Sequence, residues 1–124
     1  MTAPFLASRG GPCIEGECTV TVSDVEAGKR FPDNLFLFRP SGVKFVPRWT
    51  EFPYRAMIPR RLDGLLAVGR SASCVPDTLL RGMHMAPHMG QAGGTAAALA
   101  VRAGVEPRHL DVKTLQRALL NADF

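Results

Sequence analysis

A chain of 124 residues, 46% of them hydrophobic, is long enough for one folded domain or for part of one. Its 12 Gly and 10 Pro mark frequent turns and argue against an all-helical bundle. No apolar run is long enough to span a bilayer, and the opening MTAPFLASRGG carries no basic stretch followed by an apolar one, so a cytoplasmic chain is expected.

The net charge of +4 is unevenly spread. Between Arg39 and Arg81 lie eight basic residues against three acidic ones. Such a block suits either an anionic partner or a solvated surface. Nucleic acid is not expected, because Trp49 and Tyr54 alone do not make a stacking platform and no recognised module accompanies them. Cys13, Cys18 and Cys74 are too few for a disulfide framework. The spacing of the first two is not that of a zinc knuckle, so free thiols in a reducing compartment are expected.

In chain order, residues 1–17 read as an irregular lead-in with turn signals at Gly10, Gly11, Pro12 and Gly16. Residues 18–22 (CTVTV) alternate and are β-branched, which predicts a strand. Ser23 is placed to cap one helical turn over residues 24–27 that Gly28 would end. NLFLF at 34–38 predicts a second strand, with a turn at 40–42 and an antiparallel return over 43–46. Pro47, Pro53 and Pro59 exclude a long element between them, leaving an extended edge over 54–58. The run LLAV at 65–68, between Gly64 and Gly69, suits a strand buried on both faces of a parallel sheet. A long loop over 70–86 leads to a helix with Pro87 in its first turn, which ends at Gly104. Asp111 caps a last amphipathic helix over 112–120, with Val112, Leu115 and Leu119 on one face.

The helix after Pro87 is rich in glycine. Gly90, Gly93 and Gly94 each cost about 1 kcal/mol relative to Ala. Either a ligand or neighbouring backbone comes close there, or the helix packs tightly on a sheet. A ligand near a helix start would meet free N–H groups and the positive end of the dipole. His84 and His88 have the spacing of a helical metal pair, but Pro87 between them places His84 outside the helix, and no metal site is expected. Ser71 and Ser73 have no adjacent base and suggest no hydrolase chemistry.

The block PYRAMIPRRLDGLLAVGRSAS, followed by RGMHMAPHMGQAGGTAAAL, resembles the closing section of the FAD-dependent oxidoreductase family. That family carries PYR-x-LVP, then an AGR strand end, then a GQAAGTAAAL helix. The upstream GECTVTVSDVEAGKRFPD and the tail VRAGVEPRHLDVKTLQRAL are similar to the same family, so that the likeness covers nearly the whole chain. The resemblance implies an α/β fold. Residues 1–50 would be a β-rich segment of a substrate or cap region. Residues 51–124 would be the last strand and helices of a partial Rossmann-like FAD-binding domain.

By the same resemblance, Gly69, Arg70 and Ser71 would border the ribityl and pyrophosphate groups, and Met89, Gly90 and Gln91 would approach the flavin ring. Tyr54 and Arg55 would face the substrate, with Arg55 suited to a bidentate carboxylate contact. The family pattern follows an amino-terminal G-x-G-x-x-G unit, and no such run occurs in this chain. FAD binding and activity are therefore expected only with a missing amino-terminal segment or a partner chain. Strand edges and apolar faces left uncovered also lead to the expectation of a homo-oligomer, and the alternative reading is a truncated, non-enzymatic α/β module that self-associates through its uncovered sheet edge.

Overall fold

A computed structural model describes residues 11–40 and 49–122. It is a mixed α/β structure with two small sheets and three α-helices. The strands are β1 (Val20–Thr21), β2 (Asn34–Phe38), β3 (Thr50–Pro53) and β4 (Cys74–Val75). The helices are α1 (Val22–Glu26), α2 (Met85–Ala103) and α3 (Val112–Asn121).

β2 pairs antiparallel with β3, Phe38 opposite Thr50 and Phe36 opposite Phe52. A register shift falls between Asn34 and Phe36, where the Asn34 side chain accepts the Phe52 N–H at 3.1 Å. The Phe36 and Phe52 rings stack at 4.9 Å across the ladder. The expected return strand over 43–46 lies outside the described residues; the strand that pairs with β2 begins at Thr50.

The strand expected over 18–22 shrinks to Val20–Thr21, because Thr21 begins a helix instead. Its hydroxyl accepts the Asp24 N–H while Asp24 accepts the Thr21 N–H, a reciprocal capping box. Thr21 thus takes the capping role expected of Ser23. β1 pairs parallel with β4, which lies inside the stretch read as loop.

Residues 54–58 do not form an edge strand. Tyr54–Met57 coil into a 3₁₀ turn whose carbonyls serve three separate segments. The Arg55 carbonyl accepts from Cys18, that of Ala56 from Ser73 at 2.8 Å, and that of Met57 from Ala67 at 2.8 Å. One straight ladder could not aim these groups in three directions. The turn is consequently the hub of the chain.

Residues 65–68 form no strand either. The Ala67 N–H bond to Met57 ties the run to the hub, Ala67 is buried, and Leu65 and Val68 are about two-fifths exposed. Positive-φ glycines close both ends, Gly64 at 70° and Gly69 at 63°. The apolar pattern is that of a strand, but no second strand lies alongside it among the described residues.

α2 starts two residues before Pro87, which occupies the first turn as its missing N–H permits. Gly104, at φ 65°, ends it and donates to the Ala100 and Val101 carbonyls. α3 begins as expected. Asp111 accepts the Thr114 N–H at 3.1 Å, and Leu115 and Leu119 face the core. That core joins Val20, Phe38, Phe52, Met57, Leu79, Met85, Met89 and Leu115, on both sides of the boundary expected at residue 50. No helix among the described residues is long and apolar enough to cross a membrane.

Candidate functional site

Two places gather the residues singled out above. One is the α2 face beside residues 64–71; the other is the hub turn.

At the first, α2 packs on the Gly69–Ser71 turn, and a cleft of about 300 Å³ opens beside it. Leu66, Val68, Gly90, Gly93, Gly94 and Ala97 are among the residues that line it. The three helix glycines do different work. A Cβ added to Gly93 would sit 2.5 Å from Val68 Cγ1, so Gly93 lets α2 approach the 65–68 run. A Cβ on Gly90 or Gly94 would meet nothing within 4 Å, so packing within the described residues does not require either glycine. Gly69 likewise faces open space, and its positive φ favours glycine. Arg70 and Ser71 are exposed beside it, with the Ser71 carbonyl holding the Ile14 N–H at 2.9 Å.

α2 delivers Met89, Gly90 and Gln91 to different surroundings. Met89 is fully buried in the core, whereas Gly90 and Gln91 are exposed in the second turn. The helix start lies before all three, at Met85, whose N–H donates to the Gly82 carbonyl at 3.0 Å. A larger groove, about 480 Å³, lies at the other end of α2 among Leu99, Arg102, Val105, His109 and Leu110, away from every residue expected at the flavin or the substrate.

At the hub, Tyr54 is 1% exposed and its hydroxyl donates to the Pro107 carbonyl at 2.9 Å. Burial pushes the phenol up to about 12. Tyr54 thereby pins the α2–α3 connection to the hub, next to Arg108, which bonds Glu17 at 2.8 Å and the Pro59 carbonyl at 2.9 Å and ion-pairs with Asp63. Tyr54→Phe is expected to lower stability by about 1 kcal/mol, the net worth of one hydrogen bond, measurable by urea unfolding.

Arg55 is held by Asp33, a residue that the sequence reading passed over. One Asp33 oxygen accepts the Arg55 backbone N–H at 2.9 Å and Nε at 3.0 Å; the other accepts Nη2 at 3.1 Å. The Asp33 carbonyl takes the Tyr54 N–H at 2.9 Å. Burial alone would raise the Asp33 carboxyl, but the hydrogen bonds from Arg55 outweigh it and hold it below the usual carboxylate range. The Asp33 side chain is 8% exposed and that of Arg55 44%. The only hint in sequence was that FPD and PYR each sit inside a likeness to the same family.

The three cysteines are free thiols. Cys13 donates to the Cys74 carbonyl at 3.4 Å, and burial raises the Cys74 thiol to about 11. Among the described residues, no three His, Cys, Asp or Glu side chains converge as metal ligands. His84 is the residue before α2 and His88 lies in its first turn, its ring 5.7 Å from that of Phe36.

Leu66, Val68 and Pro107 make part of the cleft lining apolar, no charged side chain among the described residues lines it, and Gly90 and Gly94 leave room for a flat, partly apolar group to reach backbone.

No curated protein and no solved structure matches the chain. The family model described as "FAD dependent oxidoreductase" matches residues 41–119. The hub turn, the 64–71 segment, α2 and most of α3 fall within that match, while RFPD lies before it. The chain is accordingly a member of the FAD-dependent oxidoreductase family.

Proposed function

We propose that the chain is the carboxy-terminal part of a FAD-dependent oxidoreductase and supplies one wall of the flavin site. In this reading Gly69, Arg70 and Ser71 lie along the ribityl and pyrophosphate groups. The second turn of α2, with Gly90 and Gln91, lies along the ring, and Met89 supports that turn from the core. Arg55 faces the substrate, and Tyr54 holds its backbone in place. FAD would supply the redox chemistry; these residues would bind and orient it. Leu62, Leu65 and Val68 present exposed apolar side chains, where a further segment of the enzyme or a second copy would add.

The observation that carries the proposal is the open space at Gly90 and Gly94. Glycine inside a helix costs about 1 kcal/mol against Ala, and neither position returns that cost through packing within the described residues. Close approach by something else explains both.

Gly90→Ala is therefore expected to raise the stability of the isolated chain by about 1 kcal/mol in thermal unfolding. Gly90→Val in the flavin-loaded enzyme is expected to release flavin while the protein stays folded, because a branched side chain would fill the approach. Loss of stability in the flavin-free form, with flavin affinity unchanged in the folded fraction, would refute the assignment.

A further inference from the structure

We propose that Asp33 is a positioning residue for Arg55, fixing the guanidinium so that its outer edge takes a ligand carboxylate in one orientation. The inference rests on the substrate-side reading of Arg55 above. It concerns a residue outside the stretch that matches the family.

The donor geometry supports it. Asp33 takes Nε and one Nη2 proton of Arg55, the side-on edge of the fork. Nη1 and the second Nη2 proton form the end-on edge, which matches a carboxylate bidentately. The exposures agree: the carboxylate of the pair is nearly buried and almost half of the arginine is open.

Backbone fixes the pair at both residues. Asp33 accepts the Arg55 N–H, the Asp33 carbonyl accepts the Tyr54 N–H, and the Arg55 carbonyl accepts from Cys18 and Ile58. The guanidinium thus loses the freedom a surface arginine ordinarily has. Asp33 also offsets its charge, which lowers the pull on any anion. What remains is directional bonding, which favours a planar carboxylate over a spherical anion.

The test is a titration of the ¹⁵N-labelled chain with acetate, and separately with chloride at matched ionic strength, reading the Arg55 guanidinium signals by NMR. Acetate is expected to shift Nη1 and leave Nε, the edge held by Asp33, unmoved. The preference for acetate over chloride is expected to be about five-fold, the scale of one added directional bond. In Asp33→Asn the less restrained, uncompensated guanidinium is expected to bind chloride at least as well as before, and the acetate preference to fall close to one. A purely structural Asp33 would lower stability and leave that ratio alone.

A ratio unchanged in folded Asp33→Asn overturns the positioning role and leaves the Arg55 reading standing. So does an acetate-dependent shift at Nε in the unsubstituted chain, since acetate would then displace Asp33; this arm needs no variant to fold. Absence of any acetate response at the Arg55 guanidinium overturns the substrate-side reading and the positioning role with it.

Discussion

Asp33→Ala is expected to lower the stability of the chain by about 2–4 kcal/mol, a large share of the roughly 5–15 kcal/mol of an ordinary domain. The substitution removes the acceptor for three donors of Arg55 at once: the backbone N–H, Nε and Nη2. Breaking a fully buried ion pair costs about 3–5 kcal/mol. Here the exposed half of Arg55 regains water, which places the estimate at the lower end. The backbone N–H gains no such relief, and it sits in the turn from which Ala56 and Met57 serve two other segments. The loss is therefore expected to spread beyond the pair and to appear in urea unfolding as a shifted midpoint with little change in slope.

The same pair sets part of the pH dependence. The folded Asp33 carboxyl titrates below its unfolded value, so its contribution is fully present above the unfolded value of about 3.9 and is lost as pH falls through the folded one. Asp24, lowered by hydrogen bonds from Lys29 and Thr21 that outweigh its burial, and Asp111, lowered first by the Thr114 hydroxyl, act in the same direction. Asp33→Asn is thus expected to flatten the acid limb of a stability–pH curve without removing it. An acid limb of unchanged steepness would mean that the Asp33–Arg55 pair is not formed in solution.

What the sequence made legible was local. The stop at Gly104, the cap at Asp111, the NLFLF strand and the glycine-rich helix all depend on residues within a few positions of one another, and each stands in the structure. What it hid were the partners. β1 and β4 are parallel neighbours far apart in the chain, and the alternation of CTVTV could not say that only two of its residues would pair. The run at 65–68 shows the reverse failure. Its apolar pattern is that of a buried strand, but a strand needs a neighbour to bond, and none lies beside it among the described residues.

The candidate site divides in the same way. The open glycines of α2 were visible as a composition that costs helix stability. Only the fold separated Gly93, where an added Cβ would strike Val68, from Gly90 and Gly94, where it would meet nothing within 4 Å among the described residues. Arg55 was visible as a motif residue. Its orientation was not, because Asp33 lies 22 residues away in sequence, just before β2, while Arg55 follows β3.

Gly93 gives the second large effect. It stands where the family pattern commonly has Ala, yet an added Cβ would lie 2.5 Å from Val68 Cγ1, closer than packed atoms sit. Gly93→Val is expected to lower stability by about 3 kcal/mol, the upper range for overpacking, because the branched side chain must push α2 away from the 65–68 run. Gly93→Ala has two opposed terms: a gain of about 1 kcal/mol in helix propensity and an overpacking loss of about 1–3 kcal/mol. The loss is expected to win, by about 1 kcal/mol. Val68 is part-exposed and can turn, which softens the clash without abolishing it, since Ala67 and Gly69 fix the backbone on either side. Removing the obstacle should reverse the sign. Val68→Ala combined with Gly93→Ala is expected to be more stable than Gly93→Ala alone, with a coupling of about 1–2 kcal/mol in a double-mutant cycle of thermal unfolding. Should Gly93→Ala instead stabilise the chain as much as Gly90→Ala, and couple to Val68 not at all, α2 would not rest on the 65–68 run in solution. The cleft assigned to the flavin would then lose one of its walls.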